Sequence, residues 1–348
     1  MTAPPRTRQS NFELLRITAM LLVLAVHADF LALGIPKADA LAAQPLQTWT
    51  RIIIESLALV CVNTFVMISG WFGIRPTLRG AAALIFQCIF FAVLMHIADA
   101  AIFGKPISLD YIIKALTLQH AGWFVTSYLI LYALSPVLNA FTEHTPARRV
   151  ALVTLLLLTA EAVIGFWQMK HFERGYSPLS FIILYLLGHC LNAYKQTLRR
   201  ICAVIKSPFM MYIVLCCANA SVIAYCIATA DTTGLDRATA YTNPLVIIAA
   251  AALVLTFAGI TMRPCRAINF VAASAFAVFL LHMDHSSLGC IRFITIVRHT
   301  YAAIDGPLCI AAIAGVCLAV YAAAIVIDTP RKWLFAMIVR LARRRRRR

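Results

Sequence analysis

Apolar residues gather along this chain in long runs separated by short polar segments. The runs fall at about 12–34, 52–72, 80–104, 122–140, 149–167, 178–193, 207–229, 243–261, 268–284 and 304–327. A helix rises 1.5 Å per residue, so about 20 apolar residues cross the hydrocarbon layer of a bilayer. Inside lipid every backbone N–H and C=O must be satisfied within the protein, and a helix does this within one segment. The pattern therefore predicts an all-α integral membrane protein of about ten transmembrane helices.

Composition agrees. Hydrophobic residues make up 62% of the 348 positions and charged residues 13%, with a mean hydropathy of +0.84. A soluble domain is about half apolar and a quarter charged. The excess exceeds what one globular core can bury, so lipid must solvate it. No soluble domain, long linker or internal repeat stands out.

The net charge of +17 changes the picture only through its placement. The basic residues sit between the apolar runs and in a tail, Arg343 to Arg348. With the N-terminus inside, the inner segments hold 21 Lys and Arg against 9 in the outer segments, and 15 against 9 without the six tail arginines. Lys and Arg mark cytoplasmic loops. An even number of spans keeps both ends inside. The expected organisation is a cytoplasmic N-terminus at 1–11, a membrane domain at 12–327 and a basic cytoplasmic tail at 328–348, suited to contact with anionic lipid head groups. Nucleic acid is not an expected partner, because no soluble domain is present to carry it.

Eleven cysteines occur, most of them inside apolar runs, with no CxxC pair. Buried Cys behaves as a small hydrophobe. Neither a disulfide framework nor a zinc site is expected. Small residues at Ala40-Leu41-Ala42 follow the first run, but that run is far longer than a signal-peptide core, so no cleavage is expected.

Ionisable and polar side chains within the runs are the functional candidates, because lipid makes them expensive. The first run holds Glu13, Arg16 and His27. Eleven residues separate Arg16 from His27, about three helical turns, so both share one face about 16 Å apart along the axis. Glu13 lies one turn before Arg16 and can pair with it. Alone, Arg16 reads as a snorkelling anchor and His27 as a packing group. Together, a cation near the cytoplasm and a deep imidazole suit a phosphate-bearing thioester that enters from inside and an alcohol deprotonated by His27.

The second run carries Asn63 at membrane depth, with Ser69 and Gly70 permitting close helix approach. The fourth opens at Gly122-Trp123-Phe124, where an aromatic residue reads either as interfacial belt or as a surface for a sugar ring. The ninth ends at His282-Met283-Asp284-His285. That histidine pair lacks a third ligand, so packing is the expected role of His282 and no metal is expected.

The chain resembles the acyltransferase-3 family of bacterial membrane acyltransferases, which includes polysaccharide O-acetyltransferases. The resemblance rests on Asn-Phe-Glu-Leu-Leu-Arg at 11–16 with the Arg-x10-His spacing to His27, on Asn63-Thr-Phe-Val-Met-Ile-Ser-Gly-Trp-Phe72, on Trp123-Phe124 with Tyr132-Ala-Leu-Ser-Pro136, and on Phe181 to Gly188 together with Ser274 to His282. It implies a ten-helix membrane domain in a bacterial cytoplasmic membrane and no bound cofactor. It also implies a cytoplasmic acyl-CoA donor, most often acetyl-CoA, and a glycan or lipid-linked sugar as acceptor. By position, His27 would be the catalytic histidine, Arg16 a donor-binding or structural arginine, and Asn63, Ser69, Trp123 and His282 cavity-lining residues. Glu13 stands where an Asp is commoner. Arg75 and Arg79 stand, differently spaced, where some members carry an arginine cluster. The form expected is the short one, without an appended esterase-like domain. The leading expectation is an O-acyltransferase. An exporter or flippase of a polysaccharide or small molecule would use the same polar groups without covalent chemistry, and a scaffold subunit would have no use for them.

Overall fold

The computed structural model describes residues 8–202, 207–304 and 306–345. Arg6, Lys206 and the last three tail arginines, counted above among the inner charges, lie outside the described residues. The described residues are helical, with no strand among them.

Seven helical segments are long and apolar enough to cross a bilayer: Ser10–Leu31, Pro45–Phe72, Leu78–Phe103, Gly122–His144, Ala147–Trp167, Pro208–Ala228 and Leu308–Ala342. A bent pair, Arg266–His282 and Ser287–Ala303, passes the same test with a 99° bend. Pro178–Ala193 and Pro244–Ala258 are apolar but shorter. Each run read from the sequence falls on one of these segments. Apolar side chains such as Val137, Leu155, Leu156, Leu318 and Val326 are exposed on them, as a lipid solvent allows. The protein is therefore an integral membrane protein.

The run at 268–284 ends as a helix at His282, and a second helix, Ser287–Ala303, follows at a 99° bend. Asp284 Oδ1 accepts from Ser286 N at 2.8 Å, and Asp99 accepts from the N–H groups of Ser287 and Leu288 at 3.2 and 3.1 Å. Carboxylates thus take amides that would otherwise continue the helix, and the chain turns there. The last helix, in contrast, runs without a break over Pro307–Arg345, through position 328 where the tail was expected to begin. Asp328 is fully buried and bonds Arg331 Nε at 2.6 Å, Lys332 Nζ at 2.7 Å and Ser274 Oγ at 2.9 Å. Its charge is therefore matched inside the protein.

The described residues form two compact units, one within 8–76 and 123–269, the other within 77–122 and 270–345. In the first unit we label α1 (Ser10–Val26), α2 (Pro45–Ala58), α3 (Cys61–Phe72), α4 (Gly122–His144), α5 (Pro178–Ala193), α6 (Pro208–Ala228) and α7 (Pro244–Ala258). Small residues bring α3 and α5 into backbone contact. A Cβ on Gly70 would lie 1.9 Å from the Tyr185 carbonyl oxygen, and one on Gly188 would lie 2.2 Å from that of Met67. This is the close approach that membrane helices use in place of a hydrophobic driving force.

Candidate active site

The start of α1 is pinned by polar side chains. Ser10 Oγ donates to Asn269 Oδ1 at 3.0 Å and accepts from Cys265 N at 2.7 Å, while Asn11 Nδ2 donates to the Phe257 carbonyl at 2.9 Å. Phe12 packs on Trp71 and Phe72, with ring centroids 5.1 and 4.8 Å away. One turn on, Glu13 and Arg16 form the expected pair, Nη1 to Oε1 at 2.5 Å. Glu13 is buried, and Arg16 is partly exposed with its guanidinium 6.0 Å from the Phe72 ring.

His27 ends α1 and opens a wider π-turn, His27–Leu31, in which its carbonyl accepts from Ala32 N five residues on, at 3.0 Å. It is half-buried. The face shared by Arg16 and His27 carries Met20 and Val23 between them, 4% and 6% exposed. The two polar groups therefore stand at the ends of a covered apolar stripe rather than along an open polar wall.

Beside this turn lies an ionic group the sequence reading passed over. Arg51 Nε binds Asp29 Oδ1 at 2.6 Å, and its Nη2 binds the Gly34 carbonyl. Glu55, one turn after Arg51 on α2, is 2% exposed and faces Asp29, Arg51 and the backbone N–H of Phe30. Asp29 Oδ2 and Glu55 Oε2 are buried without a hydrogen-bond partner. The signal was present: two acids sit in apolar runs, and Arg51 and Glu55 have the i, i+4 spacing of neighbours on a helix. Arg51 reads from the sequence as an outer-loop charge, and nothing local shows that Asp29 meets it. Glu161 is a second such carboxylate. It opens another π-turn, Glu161–Trp167, is buried and leaves Oε2 without a partner.

Asn63, Ser69 and Trp123 are brought together through aromatic residues. Asn63 Nδ2 donates to the Tyr241 carbonyl at 3.0 Å. Tyr241 lies 6.1 Å from Trp123, which stacks on Tyr176 at 4.3 Å and meets Phe124 edge-on at 5.9 Å. Phe124 stacks on Tyr128, whose hydroxyl is 3.3 Å from Ser69 Oγ. Trp123 is 36% exposed, and the rest of it is enclosed by this cluster. Burial pushes the Tyr176 and Tyr241 phenols up from their ordinary pKa, so both keep their protons. Asn63 Oδ1 and Thr242 Oγ1 are buried without partners beside them. The 169–175 loop that presents Tyr176 holds Met169, His171, Glu173 and Arg174 at positive φ, a strained backbone of the kind found at functional sites. Arg174 anchors it, with Nη1 to Asp236 at 2.9 Å, Nη2 to Thr239 Oγ1 at 2.9 Å, and its carbonyl accepting from Tyr241 N.

His282 belongs to the second unit. It is buried, with Nδ1 2.6 Å from the Val278 carbonyl and its ring edge-on to Phe279 and Phe293. His285 lies 6.1 Å from His120 between ring centroids. Among the described residues no three His, Cys, Asp or Glu side chains are arranged to hold a metal ion. Arg75 and Arg79 are exposed.

The model of the acyltransferase-domain family matches residues 9–328, nearly the whole chain. The chain belongs to the acyltransferase-3 family. No curated protein and no solved structure matches it. The protein is thus a multi-pass membrane acyltransferase. Within this acyltransferase, the match begins at the pinned start of α1 and ends at the buried Asp328.

Proposed function

We propose that this acyltransferase moves an acyl group, acetyl as the family's usual cargo, from cytoplasmic acyl-CoA to a hydroxyl of a cell-envelope or exported glycan. The observation that carries the reading is α1 itself. A member of an acyltransferase family presents a carboxylate-paired arginine and, eleven residues on, a half-buried histidine on the same helical face.

In this reading His27 takes the proton of the acceptor hydroxyl as the oxygen attacks the thioester carbonyl carbon. The C–S bond breaks, and the imidazolium returns the proton to the departing thiolate, so no net proton is released. Neutral imidazole suits this exchange because its ordinary pKa lies near working pH. Glu13 fixes Arg16 through Nη1, and the other guanidinium N–H groups can hold a phosphate of the donor. Asn63, Ser69 and Trp123 belong to the acceptor side, where aromatic rings and hydrogen-bonding groups suit a sugar.

Ten crossings follow if the bent pair counts as one and the two shorter apolar helices each cross. The excess of Lys and Arg in alternate segments supports a reading with both chain ends in the cytoplasm.

The test is transfer of labelled acetyl from acetyl-CoA to glycan by purified protein in proteoliposomes. Wild type should label the glycan. His27→Ala should lose on the order of 100- to 10,000-fold of that rate while inserting normally. Full activity in His27→Ala removes the proposed base, and glycan export without any label favours a transporter.

A further inference from the structure

We propose that Glu55, acting with the Arg51–Asp29 ion pair, is a positioning residue that holds the His27 turn in the geometry the transfer requires. This rests on His27 being the base.

The argument starts from the break in helical geometry. α1 follows ordinary helical bonding up to Val26 and then widens, with the His27 carbonyl bonded five residues on instead of four. Such π-turns are short, occur often at functional sites, and arise where something inserts into the regular ladder. Here the groups beside the turn can be named. The Glu55 carboxylate faces the Phe30 N–H from α2. Arg51 grips Asp29 in the turn and the Gly34 carbonyl just beyond it. α2 thus holds both the middle and the exit of the segment that His27 opens.

This group is an expensive way to hold a helix end. Asp29 takes the Arg51 guanidinium, Glu55 is buried one turn further along α2, and each acid keeps an oxygen with no donor. On the same stretch of chain, Ile52, Ala58 and Leu59 are buried apolar residues, the kind that fills interior space at no electrostatic cost. A buried ionic group is a weak source of stability compared with well-packed apolar side chains. What the ionic group supplies is directional: carboxylate and guanidinium hold backbone N–H and C=O groups in place, and no aliphatic side chain can.

The route of action is indirect. His27 and Asp29 are two residues apart and so project from different sides of the helix. Asp29 therefore acts on the imidazole through the shape of the turn. An error of about 1 Å in placing a reacting group can cost on the order of 100-fold in rate, while binding of a donor held at Arg16 stays the same.

The experiment measures kcat and KM for acetyl-CoA with full-length protein in proteoliposomes, alongside the thermal midpoint. Glu55→Leu is expected to lower kcat on the order of 100-fold with KM little changed. Glu55→Gln keeps an oxygen for the Phe30 N–H and is expected to recover most of that loss. If Glu55→Leu does not insert, Arg51→Lys, which keeps the charge but loses the forked geometry, is read by the same split. Unchanged kcat in Glu55→Leu, or a loss that only tracks the folded fraction, overturns the inference while His27-dependent transfer leaves the proposed function standing. Transfer that survives His27→Ala overturns both.

Discussion

The Asn63 side chain donates to the Tyr241 carbonyl at 3.0 Å across 178 positions of sequence. This single bond ties α3 to the loop whose tyrosine packs beside Trp123. Replacing Asn63 by Ala leaves that buried carbonyl without its donor, at a cost of about 1–3 kcal/mol. The expected outcome is a lower thermal midpoint in detergent, together with a changed Trp123 environment in fluorescence. An unchanged midpoint means the bond contributes nothing net.

Gly70 allows a very close approach of α3 and α5. Ala at this position would place its Cβ 1.9 Å from the Tyr185 carbonyl oxygen, and backbone cannot yield as a flexible side chain does. Gly70→Ala should therefore force α3 and α5 apart, costing several kcal/mol, as severe overpacking does (commonly about 1–3 kcal/mol, more in rigid sites). Size-exclusion profile and yield of folded protein in detergent measure this. Gly315→Ala is the control for handling, because nothing lies within 4 Å of that position and its backbone is helical.

His120 is expected to make the second unit sensitive to acid. It stacks on Tyr111 at 4.3 Å, and Tyr111 stacks on His96 at 4.2 Å. Burial first, and then the neighbouring His285, hold its pKa below the ordinary value of 6.5. Asp284 and Asp110 pull the other way, and Lys114 adds to the lowering. The sign follows: as pH falls below about 6.5, the unfolded chain takes the proton before the folded one, so stability declines through that window. The thermal midpoint should drop between pH 7 and pH 5, and less so in His120→Phe, which keeps the ring stack. An equal drop in both proteins would assign the effect to other groups.

What could be read before any coordinates were local in character. Arg16 and Glu13 are three residues apart on one helix, so spacing alone predicts their pair. Ser69-Gly70 signals close helix packing, because small side chains have few other uses there. The Asp29–Arg51–Glu55 group was not legible in the same way. Its members lie on the turn after α1 and on α2, more than twenty positions apart, and Arg51 looks like any loop cation until Asp29 is placed beside it. The bend after His282 was equally hidden, because the groups that cause it include Asp99, nearly 190 positions away.

The order of apolar runs determined by itself that this is a membrane protein of helices, since lipid admits little else for so much apolar surface, and the motifs along those runs carried the family. Only tertiary structure decided which polar groups inside the helices meet. It covered the stripe between Arg16 and His27, surrounded Trp123 with tyrosines, and set two buried acids against one arginine beside the histidine's turn. The reason is physical: helix formation depends on neighbours within a few positions, whereas the pairing of a buried charge depends on which distant segment packs against it.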